Sequence, residues 1–318
     1  MQSGEAVELG GNFWDELFRA HERFLWGLCY RLTGSAADAD DLVQETFVRA
    51  MKHPPARADE PWRPWLVRVA VNLGRDLLRR RRRQAYEGMW LPAPLETGDE
   101  AALPSYEPPD EQGNPATRYD MLESVSFAFL LALEALTPMQ RAVLLLRDVF
   151  DYSVRETAQA LGMTEANVKT THARARRAMQ SYEQGRCVPT RSLQERTRQA
   201  LERFLQCLRS NDVSGIEALL ASDARALSDG GGEFFAARVP IVGREKLATF
   251  FSKGVKYLGE RGRIELRMLN GLPALVTENP VAPPGYAPRT ALLFEVDGEG
   301  RLTRFYSILA TRKLKALS

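Results

Sequence analysis

Apolar residues recur at helical spacing from the start of the chain. Phe13, Leu17, His21, Phe24, Leu28 and Leu32 share one face and predict a first helix, broken by Thr33-Gly34-Ser35. A second helix is predicted from about Ala37 to Met51, with Leu42, Val43, Phe47 and Ala50 on one side. Asp38, Asp40 and Asp41 crowd its start, where the helix dipole favours negative charge, and His53-Pro54-Pro55 stops it. A third helix runs from near Pro64 to Arg83, with Trp65, Leu66, Val69, Leu73 and Leu77 as its buried stripe. Residues 84–126 lose the periodicity. Proline, glycine and acid dominate, which predicts an extended, largely solvated linker. Helical patterning resumes at Val125–Leu136 and Pro138–Phe150, followed by two short helices up to Tyr182.

After a second, shorter linker at Gly185–Ser192 the pattern changes. Two helices, Leu193–Ser210 and Val213–Leu220, precede short runs that read as strands: Ala224–Leu227, Phe234–Val239, Ile264–Leu269, Ala274–Thr277, Thr290–Val296 and Leu302–Leu309. A helix at Arg244–Leu258 interrupts them, and Asp297-Gly298-Glu299-Gly300 is a hairpin turn. The expectation is an α+β domain with one curled antiparallel sheet.

The sharpest local signal lies between Tyr152 and Met179. Ser153 followed by Glu156 is a capping box that starts a helix at Val154, and Gly162 supplies a tight turn after Leu161. Thr164 caps the next helix, Glu165 to about Met179. Short helix, glycine turn and capped helix form a helix-turn-helix, with Ala158, Leu161, Val168 and Ala175 packing the pair. The opposite face of the second helix carries Asn167, Lys169, Thr170, Arg174 and Arg177, side chains that reach base edges and phosphates in a major groove. A generic helical hairpin with a solvated basic face is the plainer alternative. His172 lies at the packing edge of this helix.

The second signal is Arg75 with the run Arg79–Arg83, following Trp62, Trp65 and Asn72. Five successive arginines wrap most of the way round a helix, so some face solvent or a polyanion. Beside aromatic and amide groups, a basic helix end suits melting or single-stranded DNA. A solvated helix end and a core Trp65 are the alternatives.

Composition narrows the class. Net charge is only +2, but residues 84–126 carry 1 Lys/Arg against 9 Asp/Glu, while residues 187–318 carry 20 against 14. An acidic segment of this kind serves either as a soluble spacer or as a nucleic-acid mimic in a basic channel. Cys29, Cys187 and Cys207 are too few and scattered for a disulfide framework or a zinc site. Met1–Gly11 lacks the features of a signal peptide, and no run reaches the roughly 18 apolar residues of a membrane span. A cytoplasmic protein without membrane contact, metal or cofactor is expected.

Taken together, these motifs resemble the extracytoplasmic-function group of bacterial sigma factors. Phe13–Arg83 resembles sigma region 2, through "DADDLVQETFVRAM" (Asp38–Met51) and "PWLVRVAVNLGRDLLRRRRR" (Pro64–Arg83). Leu136–Met179 resembles sigma region 4. The resemblance implies that Asp41, Gln44, Glu45 and Phe47 dock on core RNA polymerase. It implies that Trp62, Asn72, Arg75, Arg79 and Arg80 meet the −10 element of promoter DNA, and that the Glu165–Met179 helix reads the −35 element. The implied fold is multidomain: an all-α region 2 bundle (1–83), an acidic linker (84–126), an all-α helix-turn-helix region 4 (127–186), and an α+β domain (187–318).

That last domain is similar to a SnoaL-like, cystatin-like cone, as in a fused subgroup of these sigma factors. "WLPAPL" (Trp90–Leu95) resembles the subgroup's linker motif, with Ala93 where glutamate is usual. "SDGGGE" (Ser228–Glu233) resembles its Asp-Gly-Gly-Gly motif, with Glu233 where a basic residue is usual, and "TRKL" (Thr311–Leu314) resembles its C-terminal motif. Asp229-Gly230-Gly231-Gly232 is either a tight turn or a docking loop. In the docking reading, Trp90 and Leu91, expected as exposed apolar anchors, meet it and the domain regulates the protein in cis. An apolar pocket in such a cone leaves a small-molecule ligand open, with Asp229 and Glu278 as its candidate acids. The resemblance implies no catalysis and makes a separate anti-sigma partner unnecessary without excluding one. Two rivals remain: a one-component helix-turn-helix regulator with a ligand-sensing domain, and an enzyme built on the α+β domain.

Overall fold

The structure is a computed structural model and describes residues 11–55, 61–83, 86–97, 118–258 and 261–317. Helices α1 (Gly11–Thr33), α2 (Ala36–Lys52) and α3 (Trp62–Arg83) form the N-terminal bundle. Ser35 caps α2 by accepting from the Asp38 N–H at 3.2 Å. The face of α3 that is fully buried is Leu66, Val67, Ala70, Val71, Gly74 and Leu78. Of the expected stripe only Leu66 is among them; Trp65, Val69, Leu73 and Leu77 are half-buried on the flank. The stripe is displaced because α3 packs against α1 and α2 on one side and against two later helices on another.

The helix-turn-helix block follows: α4 (Phe127–Ala132), α5 (Pro138–Leu144) with a π-turn to Val149, α6 (Val154–Leu161), α7 (Glu165–Ala178) and the short α8 (Gln180–Glu183). Apart from a small cluster of Val143, Ala158 and Val168, its core is shared with the bundle. Leu25, Leu28, Leu66 and Val67 of the bundle join Phe129, Leu130, Leu144 and Leu145 in one cluster. Four arginines stitch the seam. Arg31 donates to Ser124 Oγ (2.8 Å) and Arg141 to Leu32 O (2.7 Å). Arg68 donates to Gln159 O (2.6 Å) and Arg82 to Leu136 O (2.7 Å).

The C-terminal domain carries α9 (Arg191–Arg209), α10 (Val213–Leu219), β1 (Leu220–Asp229), β2 (Ile241–Val242), α11 (Arg244–Leu258), β3 (Arg263–Leu269), β4 (Leu272–Glu278), β5 (Arg289–Val296), β6 (Leu302–Ile308) and α12 (Thr311–Leu314). The sheet order is β2-β1-β6-β5-β4-β3. It is mixed, not antiparallel as expected, because β1 lies parallel to β6 from Leu220↔Leu302 to Asp229↔Ile308. That direction is set by the long crossover through α11 and the β3–β5 meander, which no local pattern records. Phe234–Val239, expected as a short strand, is irregular and enters no strand pair. The expected turn at Asp297 is present: its carboxylate accepts the Glu299 N–H at 2.9 Å.

Candidate nucleic-acid interface and linker clasp

The helix-turn-helix forms as its capping residues dictate. Ser153 and Glu156 make the reciprocal capping box, Gly162 closes α6 at φ +63°, and Thr164 accepts from the Asn167 N–H at 3.2 Å. Ala158 and Val168 pack with Val143, while Ala175 reaches the larger core. Asn167, Lys169, Thr170, Arg174 and Arg177 are all exposed on the outer face of α7.

Two neighbours on this helix reach a buried carboxylate. His172 Nε2 lies 2.9 Å from Asp148 Oδ1, and Arg176 holds both oxygens of that carboxylate at 3.1 and 2.6 Å. Burial by itself pushes Asp148 up, but the bonds from His172 and Arg176 outweigh this and hold it below its ordinary range. Arg176 therefore braces α7 rather than extending the basic face.

The arginine run divides in the same way. Arg79, Arg80, Arg82 and Arg83 are exposed. Arg81 is drawn inward to Asp38 (2.8 Å) and Thr33 O (2.8 Å), and Arg82 donates to Leu136. Asn72 and Arg75 are half-buried on the same helix. Trp62 is half-buried in a ring cluster with Phe13, Trp14 and Trp65, at centroid distances of 5.7, 5.6 and 6.1 Å. On α2, Asp41, Gln44 and Glu45 are exposed, but Phe47 is not a surface anchor. It is 7% exposed and packs on Phe18 at 4.8 Å, because it belongs to the apolar stripe of its amphipathic helix. The exposed apolar residues of α2 are Val48 and Met51, at 40% and 57%. Sequence reading missed them, although they lie one turn beyond Gln44 and Phe47.

The linker corrects the expectation most sharply. Residues 89–97 are not solvated: Leu91, Pro92, Ala93, Pro94 and Leu95 are all buried. Alternate residues face opposite partners. Trp90 and Pro92 pack on Gly34 in the α1–α2 turn, where an added Cβ would lie 2.9 Å from the indole. Gly34 also has φ +67°, so glycine is required there twice over. Leu91 instead enters the core of the sheet with Leu293, Ile308 and Leu314. Further on, Thr97 N–H donates to Met268 O (2.8 Å), extending the exposed edge at β3. Both acids of this stretch are engaged, Glu87 with Arg238 (2.7 Å) and Glu96 with Arg267 (2.5 Å). The nucleic-acid-mimic reading concerns chiefly residues 98–117, which lie outside the described residues.

Asp229 lies at the centre of this clasp and is fully buried. Its carboxylate accepts from Tyr86 OH (2.5 Å), Leu91 N–H (2.7 Å), Lys313 Nζ (2.5 Å) and Gly231 N–H (3.1 Å). The Asp-Gly-Gly-Gly motif is thus a turn whose aspartate also bonds the linker. Gly231 and Gly232 have φ +61° and +75°, and Glu87 of the linker passes within 3.2 Å of where a Gly232 Cβ would stand. Lys313 also donates to Leu91 O (2.5 Å) and lies 4.2 Å from the Trp90 ring. Burial pulls its ammonium down to about 8, against the opposing pull of Asp229. Next to it, Arg312 reaches Asp38 of α2 at 2.8 Å. Glu233, where a cation was expected by resemblance, accepts the Thr311 N–H at 3.2 Å instead.

A second hub was not anticipated. Asn270 Nδ2 donates to Tyr30 OH (2.9 Å) and Val125 O (2.8 Å), while its Oδ1 accepts from Leu95 N–H (3.0 Å). Its signal was the Asn270-Gly271 pair between two apolar runs, a hairpin turn with positive φ at both positions (+53° and +81°).

Residues 17–84 match the family model for Sigma-70 region 2, and residues 126–179 that for Sigma-70 region 4. Over 292 residues the chain is 30% identical to the ECF RNA polymerase sigma factor SigJ of Mycobacterium tuberculosis, spanning 89% of this chain and 88% of that protein. The chain belongs to the ECF RNA polymerase sigma factors. A crystal structure of M. tuberculosis SigJ superposes with a TM-score of 0.68 at 25% identity, covering 95% of this chain and 98% of that one. ECF sigma factor SigG of M. tuberculosis is 40% identical over 177 residues, 52% of this chain and 48% of that protein. The function is that of a sigma factor, directing transcription initiation by RNA polymerase, with a SnoaL-like α+β domain fused behind region 4. A one-component regulator would leave the region 2 match, residues 17–84, without a role. Among the described residues, no helix is long and apolar enough to cross a membrane.

Proposed function

We propose that this sigma factor binds core RNA polymerase and promoter DNA through regions 2 and 4, and that its C-terminal domain restrains it in cis by clasping the linker between them. In this reading, Asn167, Lys169, Thr170, Arg174 and Arg177 read the −35 element. Asn72, Arg75, Arg79 and Arg80 engage the −10 element, with Trp62 shaping the start of their helix. Asp41, Gln44 and Glu45, with Val48 and Met51, form the polymerase-docking face of α2. The protein works in the cytoplasm, where polymerase is.

The observation that carries the reading is the Asp229 carboxylate, buried and bonded at once to the linker (Tyr86, Leu91) and to α12 (Lys313). With Arg312 on Asp38 it ties region 2, linker and sheet together. The restraint has a geometric reason. The −10 and −35 elements are about 25 base pairs apart, roughly 85 Å at 3.4 Å per pair. Regions 2 and 4 here share one core, joined by Arg68 and Arg141. They must separate to occupy both elements, and the clasp opposes that separation.

The candidate pocket acids do not support an enzyme. Asp229 turns to the linker and Glu278 pairs with Arg289 at 3.1 Å. Transcription in vitro with core polymerase tests the reading, comparing the full chain with Asp229→Ala and with a truncation after Ala310. Higher specific initiation from both variants is expected. Unchanged output from both would sink restraint in cis, and no initiation from any form would sink the polymerase assignment.

A further inference from the structure

Inside the C-terminal cone lies a cavity of about 520 Å³, within the usual range of small-molecule sites. Aromatic rings line it: Phe204, Phe250 and Phe251 from the helices, and Phe235 and Tyr286 from the loops. Its polar groups are neutral, chiefly Ser228, Thr277, Thr290 and Ser307. Among the described lining residues the one ionic group is Lys253, which is exposed. Rings stack on rings, hydroxyls satisfy a carbonyl or hydroxyl, and no described residue of the interior lining neutralises an anion or cation.

One wall of this cavity is also the back of the clasp. Ser228 lines the cavity and Asp229, the next residue, holds the linker. Phe235, Ala236 and Ala237 line the cavity too, while Arg238 beside them binds Glu87 of the linker at 2.7 Å. A smaller cavity of about 280 Å³ lies on the other side, lined by Glu87 and Gly88 and again by Ser228 and Phe235–Ala237. The segment 230–238 is therefore a thin partition between linker and cone. It is irregular, and Phe235 is 69% exposed at the mouth, held by its N–H to Gly285 O at 2.8 Å.

We propose that the cone binds an uncharged, ring-bearing, mainly apolar small molecule, and that its binding strengthens the linker clasp through the partition 230–238. This rests on the in-cis reading above. The wall that such a molecule packs against is in place when Asp229 and Arg238 grip the linker, so the molecule favours the clasped state. Coupling is reciprocal: what loosens the clasp weakens the ligand by the same factor, commonly about 5–150-fold.

The test uses the full chain and an uncharged fluorescent probe, N-phenyl-1-naphthylamine. Saturable binding at one site is expected. Gly254→Trp should weaken it at least tenfold. Gly254 lines the cavity, an added Cβ there meets nothing within 4 Å, and loss of a helical glycine favours folding. Lys313→Met, beyond the partition, should weaken the probe about fivefold or more, and exposed Arg238→Ala gives the same readout should the first variant misfold. Saturating probe should in turn slow amide exchange at Leu91. Absence of saturable binding, or binding kept in Gly254→Trp, overturns the site. Equal probe affinity in the folded clasp variants, or an unmoved Leu91 amide, overturns the coupling. Restraint in cis is judged separately, by transcription without probe.

Discussion

The backbone N–H of Leu91 donates to the Asp229 carboxylate at 2.7 Å, across 138 residues of chain, and neither residue is exposed. Removing one partner of a buried ion pair typically costs about 3–5 kcal/mol, because the other charge is left unpaired. Asp229→Ala strands Lys313. At 1.4 kcal/mol per tenfold, the clasp should open about a hundredfold to a few thousandfold more often. Hydrogen exchange at Leu91 reads this directly. A wild-type rate in the variant would mean that apolar packing alone holds the linker.

The arginine run should separate by function. Arg79→Ala and Arg80→Ala should each lower the salt dependence of promoter binding by the holoenzyme by about one counterion. Arg81→Ala should leave that slope alone and instead loosen the linker, since Arg81 faces Asp38 and the Trp90 ring at 4.4 Å. Titrations of promoter affinity against salt check both. Equal slopes for all three would erase the distinction drawn between them.

Helix α7 should divide likewise. Arg174→Ala should cost about 1–3 kcal/mol of binding to a −35 element while leaving the melting temperature unchanged. Arg176→Ala should lower the melting temperature, because it removes a bidentate partner from Asp148, which is 2% exposed. Paired melting and binding curves decide it, and a reversed pattern would refute the assignment of faces.

Asp148 also sets a pH dependence. Its carboxyl is held below the ordinary range in the fold, so the folded state favours the ionised form. The stability it contributes is present above the ordinary carboxylate value and is lost as pH falls through its depressed value. Asp148→Asn should therefore be less stable than the parent near neutrality, with the gap closing in acid. A gap that stays constant with pH would show that ionisation plays no part.

On α2, Met51→Asp and Val48→Asp should weaken affinity for core polymerase without lowering stability, since these apolar residues are 57% and 40% exposed. Phe47→Ala should do the reverse, destabilising by about 3–5 kcal/mol as buried aromatics do. Polymerase binding and thermal melting of the three variants suffice to check this.

What could be read from the chain alone follows the range of the interactions involved. The capping box at Ser153, the Gly162 turn and the Thr164 cap are decided within one helical turn, and the basic face of α7 follows from them. The division of the arginines does not, because Asp38 and Leu136 lie 43 and 54 residues from Arg81 and Arg82. Leu91 seemed exposed because its neighbourhood is rich in proline and acid, and its cover comes from Asp229 and the sheet. Phe234–Val239 is a short apolar run like a strand's, yet its place between linker and cavity leaves it no partner strand. The parallel pairing of β1 with β6 has the same cause, a connection of some 70 residues with its own helix and meander.

The five buried residues Leu91–Leu95 carry almost no polar side chain with which to meet water. Were the C-terminal domain simply to drift away, this apolar ribbon would lose its cover on the Leu91 face, while Trp90 and Pro92 kept theirs on Gly34. Activation is then best understood as an exchange of wrappings. Whatever takes the linker from the sheet must offer a comparable greasy channel in return, so the protein responds to the arrival of a replacement host rather than to its own thermal agitation.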